Sequence, residues 1–202
     1  MKRFSIAFMW LASLSLHAQS NTDRSVGGPC DECDLMFEGM PPNLSWRTTI
    51  APPGEPGEPM IIQGTVYKKD GKTPAPDVIL YIYHTDNAGI YSTAPGHTNR
   101  HGHLRGWIKT GADGRYEFKS IRPGSYPTRN APAHIHPLIK EKGLTRYWID
   151  EYLFEGDPLL TNAERARQEK RGGNGIITLK KNANGVWEGH RNIMLGMNVP
   201  NY

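Results

Sequence analysis

The sequence predicts an all-β fold, a β-sandwich of mainly antiparallel strands with one short surface helix. Three observations predict it. Glycine and proline are plentiful, at 22 and 16 of 202 residues. Long apolar runs are absent beyond the N-terminus. Short runs of β-branched and aromatic residues alternate with tight-turn signals.

The first segment stands apart from that pattern. Lys2 and Arg3 precede an apolar stretch from Phe4 to Leu16, and the small residue Ala18 follows. This is the layout of a secretory signal peptide over residues 1–18, too short to span a bilayer comfortably. Cleavage is expected after Ala18 or Ser20, giving an exported, periplasmic or extracellular protein. No cysteine follows closely enough to carry a lipid, so no membrane anchor is expected. Lys2 and Arg3 supply two of the formal charges behind the net +4. The mildly basic remainder calls for no nucleic-acid partner.

Residues 19–58 read as an irregular arm over the main domain. Pro41-Pro42 and Pro52-Pro53-Gly54-Glu55-Pro56 resist regular structure, because proline fixes φ and removes a ladder donor. The arm holds the two cysteines, Cys30 and Cys33. In an oxidising compartment a disulfide stapling a turn is the plain reading. A redox pair would call for a βαβ unit, half a zinc site would call for a second pair, and two free thiols are the remaining alternative.

The compact domain is expected over 59–202. Ile61–Tyr67 is strand-like, and Lys69-Asp70-Gly71 turns the chain. Val78–Tyr83 is a second strand. Asp113-Gly114 is a hairpin signal ahead of Arg115–Phe118. Further strands are expected over Ala133–Ile139, Arg146–Leu153, Ile176–Lys180 and Val186–Met194. Thr161 with Glu164 makes a capping box for a polar surface helix over 163–170 that Gly172 would end; no part in catalysis is expected of it. Trp107, Trp148 and Trp187 read as core or rim aromatics.

The sharpest chemical signal is His134-Ile135-His136. On a strand, residues i and i+2 share a face, so two imidazoles project side by side while Ile135 faces the core. Alone, the pattern is moderate evidence for a metal. His101-Gly102-His103 repeats it in a glycine-rich loop without nearby tyrosine, and is the weaker candidate. His84, His97, His101 and His103 read as solvent-facing, with His101 a residue that could line a pocket entrance.

Around the strong pair stand Gly89-Ile90-Tyr91, Pro123-Gly124-Ser125-Tyr126-Pro127, Pro132-Ala133-His134-Ile135-His136 and Gly156-Asp157-Pro158. In these motifs, and in their order, the sequence resembles the intradiol ring-cleavage dioxygenases over roughly residues 64–160. The resemblance implies one non-haem Fe(III) held by Tyr91, Tyr126, His134 and His136. It implies cleavage of a catechol-type substrate by O2 between the two hydroxylated carbons, with Tyr126 also taking a substrate proton. Phenolates suit a hard trivalent ion, which deprotonates them on binding. Many members of the family are dimers or larger, so a homo-oligomer is an expectation.

One departure stands out. Relatives place an arginine three residues before the first histidine, and here that position is Ala131. Arg129 or Arg146 is expected to supply the missing cation; Arg129 is the catalytic candidate. Tyr83, His101, Arg129 and Trp148 are expected to shape the pocket. Asp157 is expected to hold a turn. Two rivals compete: a non-catalytic transthyretin-like or carboxypeptidase-regulatory-like module, which shares the features of Gly64 to Tyr126, and an iron-binding pseudoenzyme, which Ala131 alone supports.

Overall fold

The computed structural model describes residues 23–94 and 98–202, so the expected leader at 1–18 and His97 lie outside the described residues. The strands are β1 (Arg47–Thr49), β2 (Pro59–Tyr67), β3 (Ile79–His84), β4 (Arg105–Lys109), β5 (Arg115–Ile121), β6 (His134–Lys140), β7 (Tyr147–Trp148) and β8 (Tyr152–Phe154). After helix α1 (Asn162–Ala166) come β9 (Ile176–Ile177), β10 (Lys180–Lys181), β11 (Trp187–His190) and β12 (Ile193–Met194). One sheet runs β1-β5-β2-β11-β10, with β12 also on β2; the other runs β4-β3-β6-β8-β9, with β7 on β6. The result is the expected β-sandwich.

Period-two alternation builds the core. Met60, Ile62 and Val66 of β2 and Tyr116 and Phe118 of β5 pack with Leu80 and Ile82 of β3 and Ile135 and Ile139 of β6. Each such aliphatic side chain contributes roughly 1.5–3 kcal/mol on burial. The opposite face of β3 and β6 therefore remains for Tyr81, Tyr83, His134 and His136.

Several elements differ from expectation for identifiable reasons. The run 146–153 breaks into β7 and β8, because the Asp150 carboxylate leaves the ladder to accept the Lys170 and Arg171 amides at 2.7 and 3.2 Å. The run 186–194 breaks between β11 and β12, where the buried Arg191 guanidinium donates to the Asp150 carbonyl at 2.7 Å. The run 176–180 likewise yields only β9 and the start of β10. Helix α1 is capped as expected, with Thr161 Oγ1 accepting from Glu164 N at 3.2 Å, but it stops at Ala166, well short of Gly172. Strand β4 is an unexpected element; Gly106 interrupts its side-chain pattern, and a Cβ there would meet Ile50 Cγ1 at 2.8 Å.

The arm is more ordered than its prolines suggest. Its β1 joins the first sheet parallel to β5. A 3-10 helix, Cys33–Phe37, buries Cys33 and Met36 against Tyr81 and Leu138 on the outer face of the second sheet. Trp107 Nε1 donates to the Met36 carbonyl at 2.6 Å and Trp148 Nε1 to the Pro29 carbonyl at 3.3 Å. Cys30 and Cys33 are disulfide-bonded.

Candidate metal centre

Strand β6 carries the two histidines and pairs with β3 on one side and β8 on the other, which places Tyr83 opposite His136 and Leu153 opposite His134. Ile135 is fully buried in the core, so both imidazoles face outward, with ring centroids 4.6 Å apart. Asp157 fixes the start of the strand: its Oδ2 accepts from Ala133 N at 3.0 Å and its Oδ1 from Leu159 N at 2.8 Å. The aspartate thus holds its own turn, as expected, and also ties that turn to β6.

The tyrosines arrive on two loops pressed backbone to backbone. Gly89 has φ +80°, and a Cβ there would meet the Ser125 carbonyl oxygen at 1.9 Å. At Gly124 a Cβ would meet the Asn87 carbonyl oxygen at 2.5 Å. Only glycine allows that approach. Gly124 N donates to the Asp86 carbonyl at 2.8 Å, while the Asp86 carboxylate gathers the amides of Ala88 and Ile90 at 2.9 and 3.0 Å and the Ser92 hydroxyl. The loops so joined bring Tyr91 Oη within 3.0 Å of Tyr126 Oη.

The donors form a chain. His134 Nδ1–H donates to the Pro132 carbonyl at 2.7 Å, which leaves Nε2 to accept from Tyr126 Oη at 3.1 Å. Two ligands about 2.1 Å from one ion at right angles stand about 3 Å apart, so these separations fit a shared ion. Burial, with the Tyr126 hydrogen bond, pushes Tyr91 far above the usual phenol range. Burial also raises Tyr126, and burial, with the nearby His136 charge, depresses His134. Without a cation the phenols stay neutral here; a multivalent cation would reverse that. Two oxygen and two nitrogen donors are the set a hard trivalent ion takes.

A further group completes the centre. Glu151, just before β8, accepts from His136 Nδ1 at 3.1 Å. One ligand atom from each of His134, His136 and Glu151 lies within 4.8 Å of the others. Burial opposes its ionisation, but its hydrogen bond to His136 and the charges of His136 and His134 leave its pKa below the usual carboxylate range. Sequence reasoning missed this residue. Its one signal is an acidic pair interrupting the apolar run from Tyr147 to Phe154.

Two clefts meet at His136 and Glu151. One, about 300 Å³, runs between the disulfide loop and the sheet along Tyr83, Trp148 and Gln168. The other, about 290 Å³, is lined by Tyr126, Arg129, Ala131, His134 and Leu153. Glu164 of α1 also lines it, so the solvated helix touches the site after all. Tyr83 is stacked between His101 at 3.7 Å and His136 at 4.6 Å, centroid to centroid.

The remaining candidates sort by position. The Arg129 guanidinium lies 5.7 Å from the centroid of the Tyr126 ring. Arg146 pairs with Asp34 at 2.7 Å on the arm and lines neither cleft. His84 and His101 are buried, contrary to the solvent-facing expectation. His84 bridges the sheets through Ser120 Oγ at 2.7 Å, and His101 Nδ1 meets Tyr81 Oη at 3.0 Å. Burial takes each histidine to about 4. His103 bonds to Glu55 at 2.8 Å and takes no part in the centre.

A sequence model of a protein family described as "Dioxygenase" matches residues 45–183. Catechol 1,2-dioxygenase 1 of Acinetobacter lwoffii is 32% identical over 159 residues, covering 70% of this chain and 49% of that protein. The protocatechuate 3,4-dioxygenase beta chain of Burkholderia cepacia is 34% identical over 119 residues, covering 53% of this chain and 49% of its own. The chain thus spans about half the length of these relatives. Among solved structures, catechol 1,2-dioxygenase from Pseudomonas arvilla C-1 superposes with a TM-score of 0.61 at 23% identity, over 85% of this chain and 60% of that one. The dioxygenase domain of a dioxygenase carbohydrate-binding protein fusion from Streptomyces sp. SirexAA-E gives 0.56 at 22%, over 87% of this chain and 97% of that one. At such identities the structural likenesses establish the fold alone.

Proposed function

The chain belongs to the intradiol dioxygenase family, and we propose that it binds one non-haem Fe(III) through Tyr91, Tyr126, His134 and His136 and opens a catechol-type ring between its two hydroxylated carbons with O2. The observation that carries this reading is the convergence of Tyr91 Oη, Tyr126 Oη and His134 Nε2 at successive spacings of 3.0 and 3.1 Å, beside two clefts. When bound, the ferric ion supplies Lewis-acid activation of the catechol toward O2.

The protein's own residues position and protect. As the phenolate it would be when holding the ion, Tyr126 would take one catechol proton on Oη, a role suited to a side chain that borders the cleft. Arg129, over that ring, is the cation available to offset negative charge, since Ala131 on the same wall offers none. Trp148 and the edge of Tyr83 line the adjoining cleft, and Pro132 and Leu153 exclude water from the wall beside Tyr126. The relatives named for catechol, chlorocatechol and hydroxyquinol define the substrates to test first. We place the mature protein outside the reducing cytoplasm, on the leader-like residues 1–18 and the Cys30–Cys33 pair.

The test is the visible spectrum of the protein loaded with ferric iron, before and after catechol under air. A tyrosinate-to-iron band that is weakened and shifted in Tyr126→Phe, with O2 consumed when catechol is added to the wild type, supports the reading. A band without O2 uptake over a panel of catechols would favour the second reading, an iron-binding protein without turnover, which the alanine at position 131 supports. Absence of iron uptake overturns both.

A further inference from the structure

We propose that Glu151 is a positioning residue of the metal centre: its carboxylate holds His136 by Nδ1 and sets a negative charge against the ferric ion. The inference rests on the iron reading above and adds a residue that no family motif supplied.

The two histidines are held differently on their outer nitrogens. His134 Nδ1–H meets a neutral acceptor, the Pro132 carbonyl, at 2.7 Å. His136 Nδ1 meets an anion, Glu151 Oε1, at 3.1 Å. Each arrangement fixes the tautomer that leaves Nε2 for a metal. The carboxylate, being charged, makes its imidazole the stronger electron donor of the two. The backbone that carries this carboxylate is itself held in place. A Cβ on Gly175 would meet the Glu151 carbonyl oxygen at 2.2 Å, so the neighbouring backbone packs directly behind it. Asp150, one residue earlier, is pinned by the amides of Lys170 and Arg171.

Charge points the same way. A ferric ion with two phenolates keeps one positive charge. Glu151, one imidazole away, sets a carboxylate against that charge. His136 is thus the donor through which the protein tunes the ion, and Tyr83, stacked on its face, keeps the ring in line.

The test compares wild type, Glu151→Gln and Glu151→Asp, each loaded with ferric iron. Retention is titrated against a competing chelator, and the tyrosinate-to-iron band and the reduction potential are recorded. Glu151→Gln keeps a hydrogen-bonding side chain but loses the charge. We expect iron held about 10- to 100-fold more weakly, a band moved to longer wavelength and iron more easily reduced, with partial recovery in Glu151→Asp. Wild-type retention, band and potential in Glu151→Gln overturn the inference and leave the iron reading intact. If the variants fail to fold by circular dichroism, the wild type is loaded with diamagnetic Ga(III) and its imidazole N–H protons are assigned by NMR. A His136 Nδ1 proton well downfield of that of His134 supports the inference; one level with it or upfield overturns it. A wild type that takes up neither ion overturns the functional reading and this inference together.

Discussion

Tyr126 shows how much one hydroxyl can control. It accepts from Tyr91, donates to His134 and borders a cleft, so Tyr126→Phe severs the donor chain at its middle. That variant should keep the fold, with Tm within about 4 °C of wild type, because a part-exposed hydroxyl carries at most ~1 kcal/mol; thermal unfolding beside the visible spectrum separates the two effects. His84 makes a pH prediction. Burial lowers it to about 4, against roughly 6.5 when unfolded. Between those values the unfolded chain binds the extra proton. The His84 contribution is therefore complete above about pH 6.5, shrinks as pH falls through that window and levels off below about pH 4, a loss on the order of 3 kcal/mol. Denaturant midpoints at pH 7 and pH 4 should differ less in His84→Gln than in wild type; an equal difference would refute the assignment. At this scale the sequence was readable wherever a motif carried the chemistry, as at His134 and His136. It was silent on Glu151, because strand pairing brings that residue to His136. It misplaced His84 and His101, because a histidine in a polar stretch gives no sign that its ring turns inward.

The loops 86–91 and 123–126 act as one element, since each reaches its position only by touching the other. Gly89→Ala would drive a methyl into the Ser125 carbonyl and Gly124→Ala one into the Asn87 carbonyl. Each should cost more than about 2 kcal/mol and separate Tyr91 from Tyr126, seen as joint loss of stability and of the iron band. Gly143→Ala is the control. Its φ is +77° and nothing lies within 4 Å of the added carbon, so only backbone strain of about 1–2 kcal/mol applies, with the band untouched. Strands were legible from alternation in β2, β3, β5 and β6. Breaks were not: the 146–153 run divides because Asp150 and Arg191 form one buried network across distant segments. No local propensity encodes such a break.

For the whole molecule, the arm is part of the wall. Its disulfide loop borders the cleft, and its 3-10 helix covers Tyr81 and Leu138. Prolines disguised this order, because the arm is held by side chains of other elements rather than by its own periodicity. Opening the four-residue Cys30–Cys33 ring should cost about 2 kcal/mol by loop-closure entropy, or roughly 4–8 °C in Tm for a chain of this size. Melting curves with and without dithiothreitol check it, with Cys33→Ser following the reduced curve. A last consequence lies in β2, which has β5 on one side and β11 and β12, both parallel to it, on the other. Until residues 187–194 dock, one flank of its nine-residue ladder is an open template for the strand of another copy. Such distant pairing also forms late. Recovery of native protein on dilution from denaturant should therefore fall as protein concentration rises, with self-association drawing the shortfall from chains whose final strands have yet to arrive.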